Sequence, residues 1–440
     1  MNLSKTGHFN TIDRKILLLD QSDNQKLSDY HKHAKGIAPD QRVYSVNPSS
    51  KALLESLGVW KELEPKRIAP IEHLQIWESS GTSYMRWNED ASEPLGFVVE
   101  DKHLLAALHK CLEADGVVQR EFSTKITRLN TKDTTYASGT LNDEVNFTAH
   151  LVVGCDMDSF VHRAMNIPIE EKESDYYKIA CTVKAENKND RTVWQRFMEA
   201  GPIAILPCWD GYSSAIWSCD KELHKYLMGL EPATFIDELN HNLTKKSKHE
   251  TINVSLGGGE KFASPPKILE AVNERISYPV TKHQMERYIA HRLALLGEAA
   301  HSVHPLAGQS LNLGLMDVEV LTHVLNEQLH EKKDIGEETH LKEYETKAKL
   351  YNYLMMGGIE LIMKGYENEL LPFVQARNFA LSALNNLGFA KKAFNEIANG
   401  KLYRDMIVNS SNEEFWKGMK VFRNLIKDDK FPQIFGGESK

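Results

Sequence analysis

The chain has 440 residues and a formal net charge of -8, with 41% hydrophobic and 26% charged residues, the balance of an ordinary globular protein. This length suffices for two domains with appendages. The acidic balance is not that of a nucleic-acid-binding protein, so we expect no nucleic-acid partner. The chain has no apolar run long enough to span a bilayer, and its 5 cysteines contain no C-x-x-C pair, so we predict no metal site.

The first predicted element is a short buried strand, because an apolar run at residues 16–19 ends in the acid Asp20. In a dinucleotide-binding fold, the acid that closes the second strand hydrogen-bonds the ribose hydroxyls of an adenine nucleotide. Residues 1–14 should then hold the first strand and the turn G-x-G-x-x-G, but their one glycine is Gly7. We therefore expect the chain to begin after this phosphate-binding turn and to leave unpaired strand edges in the sheet. The alternative is a wrongly placed start codon or a short splice form.

The next elements follow from local patterns. Pro48 opens a predicted helix, and residues 73–77 alternate like a strand. Residues 96–108 are predicted to form a strand and a helix, with Asp101 as the N-cap. Arg42 precedes these elements, and on the residues alone it could pair with a surface carboxylate.

The middle of the chain predicts a sheet. The strand candidates are residues 192–197, 203–206 and 213–218. The large aromatic residues Trp194, Phe197 and Trp217 lie in these segments, and we expect them to pack in the core of the sheet instead of contacting a substrate.

Residues 292–318 carry the strongest local pattern. An apolar run at residues 293–296 predicts a buried strand, and a loop punctuated by Pro305 and Gly308 follows it. Apolar positions recur at helical spacing from Ser310 onward, so a helix begins there. Such a helix start presents free N–H groups and the positive end of the helix dipole to a flat or anionic ligand. An ordinary strand-to-helix connection is an equally good interpretation of the residues alone.

This stretch resembles the second flavin-binding motif of the para-hydroxybenzoate-hydroxylase-like FAD monooxygenases, and is most similar to that of the ubiquinone-biosynthesis hydroxylases of the eukaryotic mitochondrial type. The family pattern is G-D-A-A-H-x-x-H-P-L-A-G-Q-G-x-N-x-G-x-x-D-V. The chain keeps His301, His304, Pro305, Gly308, Gln309, Asn312, Gly314 and Asp317. It departs at Glu298, where the family has Asp, and at Ser310, where the family has Gly.

A second segment, residues 149–163, resembles the family motif G-A-D-G-x-x-S-x-V-R. Gly154, Asp156 and Arg163 match it, but Met157 stands in place of the second glycine. A methionine cannot take a positive φ without strain, and it fills the space that a tight turn against a cofactor needs. Asp156 could still accept a hydrogen bond from a turn amide, which would be a structural role. The resemblance also places Arg42 along the flavin.

The resemblance implies an α/β fold. We predict a Rossmann-like FAD-binding-type domain that lacks its first strand and glycine turn, a β-sheet substrate-type domain and a helical C-terminus. The FAD-binding-type domain is discontinuous and takes residues 1–72, 96–175 and 280–400. The substrate-type domain takes residues 73–95 and 176–279, and residues 401–440 form an extra helical tail.

The same resemblance implies a set of cofactor-binding positions, which we expect to be vestigial or weak. They are Asp20, Arg42, Asp156, Glu298, Pro305, Gly308, Gln309, Ser310 and Asn312. The sequence identifies no side chain as a catalytic acid or base.

Two functions compete. The resemblance over residues 15–400 implies FAD-dependent hydroxylation of a polyprenyl phenol in ubiquinone synthesis, with the flavin carrying the difficult chemistry. However, three flavin elements depart from the family, namely the missing glycine turn, Met157 and Glu298. These departures favour a non-catalytic relative that serves as a structural or accessory subunit. On that hypothesis no cofactor is expected, and FAD is expected only if the chain is an active hydroxylase.

The C-terminal tail predicts an amphipathic helix. Phe415, Met419, Phe422 and Ile426 form one apolar stripe. The helix either packs on its own domain or docks onto a partner protein or a membrane surface. The family resemblance implies a multiprotein complex on the matrix side of the mitochondrial inner membrane, although residues 1–14 contain no clear transit peptide.

Overall fold

The computed structural model describes residues 3–6, 15–23, 27, 30, 36–80, 84–88, 94–132, 135–156, 160–166, 176–186, 191–199, 201–246, 262–280, 283–302, 308–367, 372, 374–376, 378–379, 399–401 and 404. Some predicted positions lie outside these residues: Met157, Pro305 and the tail stripe of Phe415, Met419, Phe422 and Ile426.

The strands are short except in the middle of the chain. In chain order they are β1 (Ile16–Leu19), β2 (Val43–Val46), β3 (Ala69–Ile71), β4 (His73–Glu78), β5 (Tyr84–Asn88), β6 (Gly96–Glu100), β7 (Val118–Glu121), β8 (Ile126–Asn130), β9 (Ala137–Leu141), β10 (Val145–Ala149), β11 (Val152–Gly154), β12 (Tyr176–Ala185), β13 (Thr192–Phe197), β14 (Ile203–Pro207), β15 (Tyr212–Asp220), β16 (Ile268–Ala271), β17 (Ile276–Pro279), β18 (His283–Gln284), β19 (Ile289–Ala290), β20 (Leu293–Leu295) and β21 (His301–Ser302).

The two longest of the described helices lie nearest the C-terminus. They are α1 (Pro48–Ser56), α2 (Asp101–Asp115), α3 (Phe160–Ala164), α4 (Lys221–Gly229), α5 (Pro232–Thr244), α6 (Ser310–His330) and α7 (Glu338–Glu367). None of these described helices has both the length and the apolar character needed to cross a membrane.

The largest sheet has eight strands in the order β16-β12-β15-β14-β13-β4-β5, with β17 also paired to β12. Its outer face packs against α5, where Phe235 and Leu239 are buried with Trp194 and Trp217. Phe197 is also buried, in the neighbouring core around α6 and α7. The three predicted strands and the packing role of the three aromatic residues are therefore confirmed.

The inner face of this sheet packs on a second, three-stranded sheet in the order β2-β6-β3. Val193 and Leu206 of the large sheet share an apolar cluster with Val43 and Val98 of the small one. The buried ion pair between Arg67 and Glu100, at 2.7 Å, lies within the three-stranded part. The two sheets thus face each other across an apolar interface.

The Rossmann-like part is split. Parallel pairing joins β1 to β7, and a separate sheet has the order β11-β20-β19. Of the strands described, β1 has no neighbour besides β7, and β11 has none besides β20. Leu17 is 41% exposed and Val153 36% exposed on these edges. The α/β fold class predicted from the sequence, with its helical C-terminal part, is confirmed.

The helical core lies beside β20. Leu313, Val320 and Leu321 of α6 are buried with Tyr344 and Tyr351 of α7. α6 begins at Ser310, as the sequence predicts. Its close approach to the loop after β20 occurs at two glycines, because a Cβ on Gly314 would lie 3.5 Å from the Cα of Gly297.

One capping prediction is wrong. Asp101 is the first residue of α2 and not its N-cap, because the capping position is occupied by Glu100. The Glu100 carboxylate accepts from Arg67 at 2.9 and 2.7 Å and makes no cap bond to the helix. The Asp101 carboxylate instead faces Arg42, at 3.7 Å.

Candidate functional site

A buried carboxylate holds the loop after β20 in place. Asp317, which is fully buried on α6, accepts from the Gly297 N–H at 3.0 Å. Its other contacts are His301 Nε2 at 2.6 Å and Asn352 Nδ2 at 3.3 Å. Gly297 has φ +60, a conformation that L side chains rarely adopt, so this loop needs a glycine there.

Two more histidines hold the carbonyl groups of the same loop. A ring nitrogen of His162 bonds to the Ala299 carbonyl, and His283 Nε2 lies 2.9 Å from the Glu298 carbonyl oxygen. Since the backbone is held on both sides, the Glu298 side chain is left to point outward. It is exposed, and among the described residues its carboxylate has no hydrogen bond or ion pair.

The start of α6 lies on the other side of this loop. Gly308 has φ +58, and Gln309 occupies the capping position without a side-chain cap bond. The first N–H groups of the helix, from Ser310, therefore lack an acceptor within the helix. Such an uncapped helix N-terminus suits a carbonyl or an anionic oxygen of a ligand.

Asn312 connects the start of α6 to the end of β2. It is 2% exposed, and its Nδ2 donates to the Ser45 carbonyl at 2.9 Å. Its Oδ1 accepts from the Asn47 N–H at 3.0 Å. In turn, Asn47 Oδ1 caps α1 by accepting from the Ser50 N–H at 2.8 Å. Asn312 therefore has a positioning role that the family match did not reveal.

Arg42 lies between two aromatic rings. Its guanidinium carbon is 5.5 Å from the ring centres of both Tyr44 and Tyr278. Burial lowers the pKa of Arg42, but Tyr44 and Asp101 outweigh that effect and leave the pKa above its ordinary value. Burial and the Asp101 charge raise the pKa of Tyr44 to about 12. The pairing with a carboxylate is thus observed, and a flavin-facing position for Arg42 remains a prediction.

Lys178 is a residue that sequence reasoning missed. On β12 the side chains of Ile179 and Cys181 enter the core under α5, so Lys178 lies on the inner face of the sheet. Thr182, on that same face, donates from Oγ1 to the Pro39 carbonyl at 2.9 Å. This contact shows that the inner face of β12 meets the segment that leads to Arg42.

The surroundings of Lys178 are cationic and apolar. Its cross-strand neighbour on β17 is Tyr278, one of the two rings that contact Arg42. Burial, and then the charge of Arg42, lower the pKa of Lys178 to about 8, with Glu298 acting in the opposite direction. The sequence contains one signal for the position of Lys178, because apolar residues occupy every second position after it, at residues 179, 181 and 183.

The predicted site residues fall into two groups. The first group is Arg42, Glu298 and the start of α6: Glu298 acts electrostatically on Arg42, and Asn312 bonds the start of α6 to the Ser45 carbonyl of β2. The second group is Asp20 and Asp156, at the ends of β1 and β11. Asp20 accepts from the N–H of Ser22 at 2.9 Å, and burial together with the nearby Asp20 charge raises the pKa of Asp156.

The fold and this site define a class of protein. Residues 32–356 match the family described as FAD binding domain, so the chain belongs to that family. Solved structures with a similar fold include PqsL, a probable FAD-dependent monooxygenase from Pseudomonas aeruginosa. That likeness covers 86% of this chain and 94% of PqsL with a TM-score of 0.65 and 17% identity, and it concerns the fold alone.

The sequence relatives are more specific. The protein named Ubiquinone biosynthesis monooxygenase COQ6, mitochondrial, from Xenopus tropicalis is 31% identical over 401 residues, which is 85% of this chain and 85% of that protein. The Homo sapiens protein of the same name is 29% identical over 405 residues, or 86% of this chain and 84% of that protein. The predicted resemblance to the ubiquinone-biosynthesis hydroxylases is therefore confirmed.

The expectation that no cofactor binds is wrong. The match of residues 32–356 to the FAD binding domain family points to FAD. The described residues fit the group, because Glu298 offers a carboxylate without a partner and α6 offers an N-terminus without a side-chain cap. The longer side chain of Glu298 is accommodated because it is exposed and does not crowd the loop.

Proposed function

We propose that this chain is an FAD-dependent monooxygenase that hydroxylates an aromatic ring in ubiquinone biosynthesis. The pathway comes from the names of the relatives, which are about 30% identical over most of the chain. The observation that carries the proposal is one juxtaposition. Glu298 acts electrostatically on Arg42 and on Lys178 of the eight-stranded sheet, and the start of α6 bonds through Asn312 to β2, the strand that follows Arg42.

The division of labour follows from these positions. FAD, when bound, supplies the oxygen-activating chemistry. The residues suited to hold its flavin part are Glu298, the N–H groups of α6 from Ser310, and Arg42. Asp20 and Asp156 are suited to polar groups at the other end of the cofactor.

The rest of the site orients a substrate and excludes water. Ile76 and Met85 of the large sheet are neighbours across β4 and β5, and both lie on its inner face. Gln195 pairs with Ile76 across β13 and β4, and it adds one polar group to this apolar wall. An apolar wall with few polar groups is typical of small-molecule sites.

The test is flavin content of the full chain. We expect about one FAD per chain, read from visible absorbance and from the FAD released on denaturation. Glu298→Ala should lower FAD occupancy at limiting FAD, because it removes the unpartnered carboxylate. The matched control is Glu222→Ala, at a side chain that is 84% exposed on α4, and it should leave occupancy unchanged. A folded wild-type chain that neither contains nor binds FAD would refute the proposed function.

The cellular setting is part of the proposal. The relatives are named as mitochondrial, which supports a mitochondrial location. The matrix side of the inner membrane and membership of a protein complex are our further proposal, and they come from the family resemblance alone. Fractionation of a tagged full chain tests this inference. Recovery of the tag outside mitochondria contradicts the location, and recovery as a free monomer contradicts the complex.

The accessory-subunit hypothesis gains no support from the described residues. It depended on departures at the flavin site, and of these Met157 lies outside the described residues while Glu298 is placed with a free carboxylate. No second function is therefore proposed.

A further inference from the structure

We propose that Lys178 binds the oxygen of a phenolic ring next to Arg42 and stabilises that ring in its phenolate form. This inference rests on the proposed function, because it assigns a ligand group and a binding residue to the same site. It makes Lys178 a substrate-binding residue of this chain, at a position that the sequence left unassigned.

The strand register places the Lys178 side chain on the ligand side. Lys178 pairs with Ser218 on β15 and with Tyr278 on β17, and cross-strand partners point to the same face of a sheet. The residues on either side, Tyr177 and Ile179, point to the opposite face, where Ile179 is buried under α5. The ammonium therefore lies over the inner face, at its edge nearest Arg42.

Lys178 has no partner in the part of the chain that the structure describes. Other lysines of this chain do: Lys184 on the same strand pairs with Glu270 at 2.9 Å, and the fully buried Lys347 pairs with Glu343 at 2.8 Å. A partly buried ammonium without a counter-ion is costly, because burial removes its hydration. An anionic oxygen of a ligand would supply the missing counter-charge.

The charged groups around Lys178 favour an anion from a ligand. Arg42 is cationic, and its own carboxylate partner is Asp101. Glu298 acts on Lys178 only as a nearby charge, without an ion pair between them. Tyr44 and Tyr278 contact Arg42, and Asp40 and Lys102, which pair with each other at 2.7 Å, also act on Tyr278. Arg42 and Asp101 offset each other, so the charges left without an ion pair are those of Lys178 and Glu298, and a phenolate would give Lys178 the contact that Glu298 does not make.

The aromatic surroundings define the ring that carries this oxygen. Tyr278 lies beside Lys178, and the apolar side chain of Ile276 is the next residue of β17 on the same face. A flat ring can lie along this wall while its oxygen contacts the Lys178 ammonium. In the ionisation step the phenol O–H bond breaks, the proton leaves to solvent, and the ammonium keeps all its protons. The resulting phenolate ring is richer in electrons, which suits attack by an electrophilic oxygen.

The experiment measures ionisation directly. 4-Nitrophenol is the probe, because its phenolate absorbs visible light and its phenol does not. The full chain is titrated with the probe at a series of pH values, and difference spectra against the same protein without probe give the pKa of the bound hydroxyl. We expect a bound pKa at least about one unit below that of the free probe, a tenfold change in the ionisation ratio.

The variants distinguish the effect of losing the Lys178 charge from the effect of losing the fold. Lys178→Gln should return the bound pKa to that of the free probe, and Lys178→Arg should keep most of the shift. Lys184→Gln, on the same strand but exposed, should leave the shift unchanged. The circular dichroism spectrum of each variant reports folding, and the arginine variant keeps the test valid if the glutamine variant fails to fold.

Two outcomes overturn the inference: a wild-type chain that binds the probe with its ordinary pKa or not at all, and a shift that survives Lys178→Gln. Flavin content is measured on the same samples. A chain that holds FAD but does not shift the probe refutes the role of Lys178 and leaves the monooxygenase proposal intact. A chain without FAD that shifts the probe refutes the monooxygenase proposal alone.

Discussion

Replacing Asp317 should show how much the loop after β20 depends on one buried carboxylate. Asp317→Ala removes the acceptor for the Gly297 N–H and for His301 Nε2, at 3.0 and 2.6 Å, and breaks the contact with Asn352. Each buried polar group that loses its partner costs about 1–3 kcal/mol, so the expected loss of unfolding free energy is about 3–5 kcal/mol. We also expect weaker FAD retention, because the backbone at Gly297 is no longer held.

Asp317→Asn should be far milder, at about 1 kcal/mol. The remaining oxygen can still accept from Gly297 and His301. The new amide can donate to Asn352 Oδ1 once the Asn352 amide turns over, and that oxygen has no partner at present.

Urea denaturation of the full chain with linear extrapolation measures these differences. The control on the same helix is Glu327→Ala, which removes only a partly exposed contact with His323 at 3.4 Å and should cost less than about 0.5 kcal/mol. A loss below about 1 kcal/mol for Asp317→Ala, or equal losses for the alanine and asparagine variants, would refute this reasoning.

Three further predictions concern the buried Arg292, which is 1% exposed. Its two terminal guanidinium nitrogens bind the carboxylate of Asp334. The hydrogen bonds from Arg292 lower the pKa of Asp334 to about 2. The ionised Asp334 therefore stabilises the fold by about 1–2 kcal/mol after solvent screening. This stabilisation is complete above about pH 4 and is lost as the pH falls toward 2. Acid denaturation should show that stability falls more steeply with decreasing pH in the wild type than in Asp334→Asn. Curves of equal steepness would contradict this prediction. Arg292→Lys should lower the melting temperature, because a lysine cannot make the two-pronged contact. Gly336→Ala should destabilise the fold by about 1–3 kcal/mol, since a methyl group there would overlap the His150 carbonyl and the Arg292 guanidinium. The control is Gly229→Ala, at a glycine in open space, which should have no such cost in the same melting assay.

Local patterns predicted the elements whose cause is local. The strand at residues 16–19 follows from an apolar run that ends in Asp20, and the start of α6 follows from helical spacing after Ser310. Asp101 shows where such reasoning stops. Its predicted capping role considered only the neighbouring helix end, but in the fold the carboxylate faces Arg42, a residue far away in the sequence.

The candidate site shows the same limit more strongly. Whether Lys178 points to the inner face of the large sheet or to the core under α5 depends on the register of β12 with β15 and β17, and no residue near Lys178 determines it. The expectation of no cofactor failed for a related reason. It depended on the missing glycine turn, Met157 and Glu298 together. For Glu298, only the fold shows that three histidines and Asp317 hold the loop while the side chain is exposed.

The contacts that Asn312 makes with the end of β2 have a consequence for synthesis. Its bond to Asn47 joins residues 265 positions apart. At about 5–20 residues per second, the ribosome adds Asn312 on the order of tens of seconds after Asn47. Until then the N-terminal half of the chain lacks the helix that satisfies its buried backbone groups, and its apolar surfaces stay exposed to chaperones and proteases. A premature stop codon before α6 would therefore release a chain that cannot complete even the segments it already contains.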